Sequence, residues 1–390
     1  MSGLAVVAKA LGASVTGSDR AAGSPYAATL RAAGIEPIVG HDAANVPDGA
    51  EVVYSSAIPP ANPERRPPEL HRADLLGEIT RLKPTIAVSG THGKTTTSSM
   101  LVHALAADSY LVGGEVRSTG ANAGWGPGEW LVVEADESDR SLLKLSPTIA
   151  VVTNAELDHH TTYSSSRDVD DTFRAFLALA RDQVVPPELV RLAERPTVFD
   201  EVEVELAVPG AHNARNAAAA LTAVRLAGGD VEAAKARLAT FQGAGRRFER
   251  LGTTPAGALV VDDYAHHPTE VRATIEAART LAPRRVVACF QPHLFSRTQR
   301  EARGFGQALA LADLAVVLDV YPARERAEDF PGVSGLLVAE ATADAAGGKR
   351  VAWLPTHAAG VAFLQAELQE GDLLLTMGAG DVDAVGRALI

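Results

Sequence analysis

Seven consecutive residues, Gly90-Thr91-His92-Gly93-Lys94-Thr95-Thr96, have the types and order needed to hold a phosphate. Glycines let backbone N–H groups turn toward an anion, and a helix start adds positive potential. Lys94 supplies a mobile cation, and Thr95 offers a hydroxyl to Mg2+. The general P-loop spacing asks for glycine where Val88 stands, so this segment meets only the second half of that pattern. A tight strand-to-helix turn with an incidental lysine is the bland alternative. The coincidence of strand, turn, Gly-Lys-Thr and helix favours the phosphate.

A nucleoside triphosphate needs a metal, and the metal needs carboxylates. Glu134-Ala135-Asp136-Glu137-Ser138-Asp139 and Asn154-Ala155-Glu156-Leu157-Asp158-His159-His160 each follow an apolar stretch. Both should open at the carboxyl edge of one sheet, beside the cradle. Four acids in six residues also describe a solvated loop, and a histidine such as His159 or His160 often has a structural explanation.

The elements that must position these residues alternate between strand and helix in three blocks, the mark of an α/β fold with largely parallel sheets. The first block reads as a helix over Leu4–Leu11, a strand over Ser14–Asp19, a helix over Pro25–Ala33 and a strand over Glu51–Ala57. The Pro-rich run Pro59–Pro68 reads as a loop. In the second block the pattern predicts strands over Thr85–Ser89, Trp130–Ala135 and Thr148–Thr153, with helices over Lys94–Ala107 and Asn213–Leu226. The third predicts strands over Ala258–Asp262, Arg285–Phe290, Leu314–Val320, Val351–Leu354 and Asp372–Met377. Its helices fall over Pro268–Thr280, Thr298–Leu311 and His357–Leu368, with Pro268 at a helix start where proline is tolerated. Cuts near Lys83 and Gly243 give three domains, 1–83, 84–243 and 244–390. The first and last are Rossmann-like by alternation, and the central one is a P-loop type parallel sheet. Neither Rossmann-like block opens on Gly-x-Gly-x-x-Gly, which argues against a dinucleotide-dependent oxidoreductase.

At 390 residues, 46% hydrophobic and 22% charged, the chain has the balance of a globular protein of two or three domains. A formal net charge of −12 argues against a nucleic-acid partner, because nothing in the overall field draws in a polyanion. The single cysteine, Cys289, permits no internal disulfide and fits a reducing compartment. No apolar run approaches membrane-spanning length and no leader is visible, so a soluble cytoplasmic protein is expected.

Taken together, the motifs resemble the Mur ligase family. Gly90 to Thr96 is similar to that family's short form of the phosphate loop. Glu134 to Asp139 resembles its Mg2+ motif, and Thr153 to His159 the motif whose histidine lies near a second metal. Gly210-Ala211-His212-Asn213-Ala214-Arg215-Asn216 resembles its nucleotide-contacting helix start, although Asn213 and Asn216 also suit a helix cap and its neighbour. Gly245-Arg246-Arg247-Phe248-Glu249, Asp262 to Glu270, Phe290 to Thr298 and Gly371 to Asp381 resemble signatures of the alanine-adding branch.

The resemblance implies ATP- and Mg2+-dependent ligation of L-alanine to UDP-N-acetylmuramate through an acyl phosphate, by a monomer or homodimer. Thr95, Glu134 and His159 would hold metals. Gly90, Thr91, His92, Gly93, Lys94, Thr95, Thr96, Asn154, Asn213, Asn216 and Asp263 would surround the nucleotide. On the substrate side it places Asp19, Ser55, Ser56, His159, Tyr264, His293 and Arg297. Lys94, His266 and Arg246 or Arg247 would serve catalysis, the arginines entering on domain closure. His266-His267 before Pro268 is also open to a capping role, and Arg297 to a surface one.

The sequence departs from the family in places. The Gly-rich turn that helps bind the UDP diphosphate would fall just before Met1. Connections around Pro63–His71, Ala107–Leu111 and Asp182–Val208 are short, and the central block is expected to lack strands that the family would supply. Leu294 stands where many relatives carry arginine. Two other readings follow: a ligase that recycles murein tripeptide, and a non-catalytic UDP-muramate-binding paralogue.

Overall fold

The computed structural model describes residues 1–20, 26–200 and 202–390. Its first four strands are short: β1 (Ser18–Asp19), β2 (Ile38–Val39), β3 (Val52–Tyr54) and β4 (Glu69–His71). They pair in parallel as two separate two-stranded ladders, β1 with β2 and β3 with β4. The expected strands over Ser14–Asp19 and Glu51–Ala57 are therefore trimmed to two and three residues. The helices Ser2–Ala10 and Ala27–Ala32 match the expected ones; the predicted start at Pro25 lies outside the described residues.

The next seven strands are β5 (Thr85–Ser89), β6 (Ser109–Val116), β7 (Ala121–Gly124), β8 (Leu131–Glu134), β9 (Ile149–Val152), β10 (Asp182–Val185) and β11 (Pro196–Val198). They form one sheet in the order β11-β10-β9-β5-β8-β6-β7, parallel except for the β6–β7 hairpin. The central block thus holds strands that the pattern does not single out, two of them inside the short stretch Asp182–Val208. They escape a reading by pattern for physical reasons: β7 is Ala-Asn-Ala-Gly, with no β-branched residue, and β6 holds two glycines.

β5 sits at the point where the chain order reverses, its neighbours β8 and β9 lying on opposite sides. In open α/β sheets ligands bind at the carboxyl ends beside such a point. All five β5 residues are buried, as expected of a strand covered on both faces. The helix Lys94–Leu105 that follows is buried along most of its length, its hydroxyl-bearing first turns included.

The last six strands are β12 (Glu249–Thr253), β13 (Leu259–Asp263), β14 (Arg285–Phe290), β15 (Leu314–Val317), β16 (Arg350–Trp353) and β17 (Asp372–Met377). Their order is β12-β13-β17-β14-β15-β16, with only β12 antiparallel. The helix Pro268–Thr280 and strands β14 and β17 have the bounds their spacing predicts.

The chain divides into two compact units. Met1–Ala207 with Ala214–Gln242 makes the first, and Val208–Asn213 with Gly243–Ile390 the second. Each has its own apolar core, with Phe173 and Phe176 in the first and Phe290 and Phe305 in the second. No described helix is long and apolar enough to cross a membrane.

Candidate active site

In the first unit the turn after β5 is built around two left-handed glycines, Gly90 (φ +134°) and Gly93 (φ +82°). A Cβ on Gly90 would lie 2.2 Å from Thr153 Oγ1, and one on Gly93 would lie 2.6 Å from Asn216 Oδ1. Neither position tolerates a larger residue, and Asn216 is thereby placed against the cradle. Asn154 clamps the turn from the end of β9: its Oδ1 accepts from the His92 N–H at 2.8 Å and its Nδ2 donates to the His92 carbonyl at 2.8 Å. Thr91 Oγ1 donates to the Glu156 carbonyl at 3.0 Å and accepts from the Glu156 N–H at 2.9 Å. His92 Nε2 lies 3.4 Å from a Glu156 oxygen. Thr96 is buried in the first turn of the helix.

Lys94 reaches back over the turn. Its ammonium donates to the Gly90 carbonyl at 2.8 Å, the Thr91 carbonyl at 3.2 Å and Glu137 Oε1 at 2.9 Å. Burial alone would strip its charge, but Glu137 and Glu134 outweigh that and raise its pKa. Thr95 Oγ1 donates to Glu134 Oε1 at 3.0 Å, and Glu134 Oε2 accepts the Gly113 N–H at 2.7 Å. A hydroxyl and a carboxylate facing a phosphate turn are hard oxygen donors of the kind Mg2+ takes, so this pair fits that ion. His159, itself left-handed at φ +50°, brings Nε2 to 3.4 Å from Glu137 Oε1. Thr95, Glu134 and His159 thus gather around the cradle.

Glu137 was not singled out in the sequence, although it lies in the same acidic run. The far end of that run is gripped by Arg72, whose Nη2 lies 2.8 Å from Asp139 and 3.1 Å from Asp136. Ser56 donates to Asp139 at 3.0 Å, so its hydroxyl is engaged by the acidic loop. Ser55 accepts a turn bond from the Ile58 N–H at 3.0 Å, and Asp19 lies exposed at the end of β1.

The second unit gathers its chemistry at the carboxyl ends of β13, β14 and β17. Beyond β13, Tyr264 meets the His266 ring edge-on at 5.3 Å; His266 meets His293 at 6.1 Å, and His293 stacks on Tyr321 at 5.8 Å. His266 Nδ1 donates to the Tyr264 carbonyl at 3.0 Å, which leaves Nε2 as the acceptor. Burial pushes His266 down to about 3, with Arg297 and Arg247 helping against Glu270. His293 is pushed down to about 4 by burial, Arg297 and Arg324. Its buried Nδ1 has no hydrogen-bond partner among the described residues. Arg297 is buried in the first turn of the helix Phe295–Leu309, which excludes the surface role left open for it.

Of the two histidines before Pro268, His267 is the N-cap, its ring accepting from the Thr269 N–H at 3.4 Å, and the His266 N–H donates to Glu270 of the same helix's first turn at 3.0 Å. Asn213 donates to the Pro209 carbonyl at 2.7 Å, within the second unit's own segment.

Arg246 is fully committed to structure. Its Nε donates to buried Asp262 at 2.8 Å, and its two Nη groups to the Gly380 and Gly378 carbonyls at 2.7 and 2.9 Å. Arg247 is held less tightly, by Glu270 at 3.8 Å and the face of Tyr264 at 5.2 Å. Asp263 accepts from the Phe248 and Ala265 N–H groups at 2.7 and 2.8 Å, and burial pushes it up to about 6. It pins a turn in which Arg246 and Phe248 both have positive φ. Leu294 (φ +69°) is held in a similarly uncommon conformation by bonds to the Tyr321 carbonyl and the Thr298 N–H, each 3.0 Å.

A glycine-shaped phosphate turn at the switch point of a parallel sheet, with a buried lysine and a hydroxyl–carboxylate pair, defines a nucleotide-binding α/β protein. Comparison with known proteins narrows the class. The model for the Mur ligase family, catalytic domain, matches residues 1–83, and that for the Mur ligase, glutamate ligase domain, matches residues 246–380. UDP-N-acetylmuramate–L-alanine ligases of Streptomyces griseus and Kineococcus radiotolerans are 40% and 43% identical to it. Those alignments span 100% of this chain and 94% and 93% of theirs. The first runs over 444 positions, so that relative carries residues this chain lacks. The crystal structure of the UDP-N-acetylmuramate–alanine ligase of Thermotoga maritima matches with a TM-score of 0.82 at 27% identity, covering 100% of this chain and 95% of that one. A murein peptide ligase from Psychrobacter arcticus shares the fold, with a TM-score of 0.68 at 23% identity over 100% and 95% of the two chains. The chain belongs to the Mur ligase family.

Proposed function

We propose that this protein is the ATP-dependent ligase that joins L-alanine to the lactyl carboxylate of UDP-N-acetylmuramate, a step in building peptidoglycan precursors. The observation that carries the reading is 40% identity, from end to end, to ligases of that name, in a chain whose phosphate cradle is complete. Residues 1–83 take the UDP substrate, 84–243 hold ATP, and 244–390 take the amino acid and share in binding ATP. The enzyme works in the cytoplasm as a monomer or homodimer.

A carboxylate is a poor electrophile, and phosphorylation gives it a leaving group. The lactyl oxygen bonds to the γ-phosphorus as the bond to the bridging oxygen breaks, and ADP departs. The alanine amine then adds to the acyl carbon, loses a proton, and expels phosphate to leave the amide. Phosphoryl transfer asks mainly for positioning and charge neutralisation. Lys94 supplies a cation for the phosphates, and Thr95, Glu134 and His159 would hold Mg2+, which when bound neutralises the β- and γ-oxygens. In the second unit, neutral His266 presents Nε2 as an acceptor for an amine proton, and His293 and Arg297 recognise the amino acid or the acyl phosphate.

A phosphate-release assay with ATP, UDP-N-acetylmuramate and L-alanine omitted in turn tests the reading. Turnover should require all three. Equal release without alanine would sink it, and preference for murein tripeptide over alanine would transfer it to the recycling ligase.

A further inference from the structure

Lys94 has no hydrogen left for a phosphate. Two of its donors are taken by the Gly90 and Thr91 carbonyls, and the third by Glu137. Both oxygens of Glu137 lie 2.9 Å from the ammonium. The carboxylate is almost wholly buried, and its Oε2 is off the line of any donor among the described residues. A buried cation left uncompensated is costly, and the cradle meets that cost with an internal anion. We propose that Glu137 is a positioning residue that competes with phosphate for Lys94, so that nucleotide binds by exchanging one anion for another. The inference rests on reading Gly90–Thr96 as the nucleotide cradle.

The surroundings confine the exchange to the side chain. The Glu137 carbonyl accepts the Tyr163 hydroxyl at 2.6 Å. Its neighbour Asp136 caps the Ser138 N–H at 2.9 Å and meets Arg72 at 3.1 Å, and Asp139 caps the Ser141 N–H at 3.0 Å. With the backbone pinned on both sides, the carboxylate leaves Lys94 by rotation; in the absence of metal His159 Nε2, 3.4 Å away, is its nearest other partner. The placeholder keeps Lys94 charged and aimed when the site is empty. It also weakens nucleotide affinity, because the incoming phosphate must displace it, and that speeds ADP departure.

The test is calorimetric titration with Mg2+-free ADP and, separately, inorganic tripolyphosphate, in EDTA so that no metal contact to Glu137 enters. Glu137→Gln should bind both about tenfold tighter than the natural protein, a change typical of removing one competing charge contact. Glu137→Asp, which keeps the charge but draws it back from Lys94, should fall between. The melting temperature without ligand should drop in Glu137→Gln and rise further on adding ADP than it does in the natural protein. Equal or weaker binding in both variants, with the natural protein still binding ADP, overturns the placeholder alone. Failure of every form to bind ADP or tripolyphosphate overturns the cradle as well.

Discussion

Arg246 and Arg247 are adjacent in sequence and opposite in use. Both stand in Gly-Arg-Arg-Phe-Glu, and nothing in that string tells them apart. Asp262, with no exposed side-chain surface, does: it pairs with Arg246 at 2.8 Å and otherwise accepts Thr376 Oγ1 at 2.8 Å. Removing Arg246 leaves a buried carboxylate and two carbonyls short of donors, a loss of about 3–5 kcal/mol. Arg246→Ala should therefore melt well below the natural protein, its activity falling with the folded fraction. Arg247→Ala, whose partner lies 3.8 Å off, should melt within a few degrees of it while kcat drops. Thermal melts alongside kinetics decide the matter. Equal melting temperatures for the two variants would remove Arg246 from the structural role, and unchanged kcat in Arg247→Ala would remove Arg247 from the catalytic one. At this scale the sequence was legible in kind and silent on allocation. The cradle residues were singled out by type and spacing, and the roles of Glu134, His266 and His293 by the family resemblance, whereas Glu137, Arg72 and Tyr321 matter through partners distant in sequence, 64 residues away for Arg72 and Asp136.

Elements were legible where one signal dominated. β5, β14, β17 and the helix Pro268–Thr280 carry unbroken apolar runs or a proline start, and their bounds were readable. The helix Ser166–Ala178 went unread although its signals were present. Val169, Thr172, Phe173, Phe176 and Leu177 fall on one face, and Ser165 caps the Asp168 N–H. The acidic run was legible as a loop after a strand, but its function as an element depends on anchors at both ends. Thr95 meets Glu134 at its start, Arg72 holds Asp136 and, at the far end, Asp139, and Glu137 meets Lys94 between those two. Asp139 is held down to about 2: burial works against that, and Ser141 and Arg72 overcome it. Arg72→Ala should therefore loosen the loop that presents Glu134 and Glu137. The expected result is a fall in kcat of about tenfold, as from the loss of the partly buried ion pairs to Asp136 and Asp139, with KM for the UDP substrate little changed and partial recovery in Arg72→Lys. A purely structural Arg72 would instead lower the melting temperature and leave the kinetic constants of the folded enzyme alone.

For the whole molecule, alternation of strand and helix was enough to read an α/β protein with separate sheets, because each sheet needs its own helices to cover it. It could not show that Val208–Asn213 groups with the later residues, since that return depends on packing. Acid acts on the second unit through its buried histidines. There His266 and His293 are neutral when folded, at about 3 and about 4, against an ordinary histidine value of about 6.5. As pH falls below 6.5 the unfolded chain takes up protons that the folded unit refuses, so stability is lost progressively, down to about pH 4 through His293 and about pH 3 through His266. Asp263, at about 6 when folded, binds its proton earlier in the folded state and returns part of that loss between pH 6 and 4. The groups facing the histidines (Glu270, Arg247, Arg297, Arg324 and Glu325) do not reverse the sign, since Glu270 is outweighed by burial and the arginines reinforce it. Hydrogen exchange in β13, β14 and β17 should accordingly speed up between pH 6.5 and 4 beyond the intrinsic rate change. His266→Gln should flatten that dependence and Asp263→Asn should steepen it. An unaltered pH dependence in His266→Gln would mean that its ring is already solvated in the folded unit, and the acceptor role given to its Nε2 would lose its physical basis.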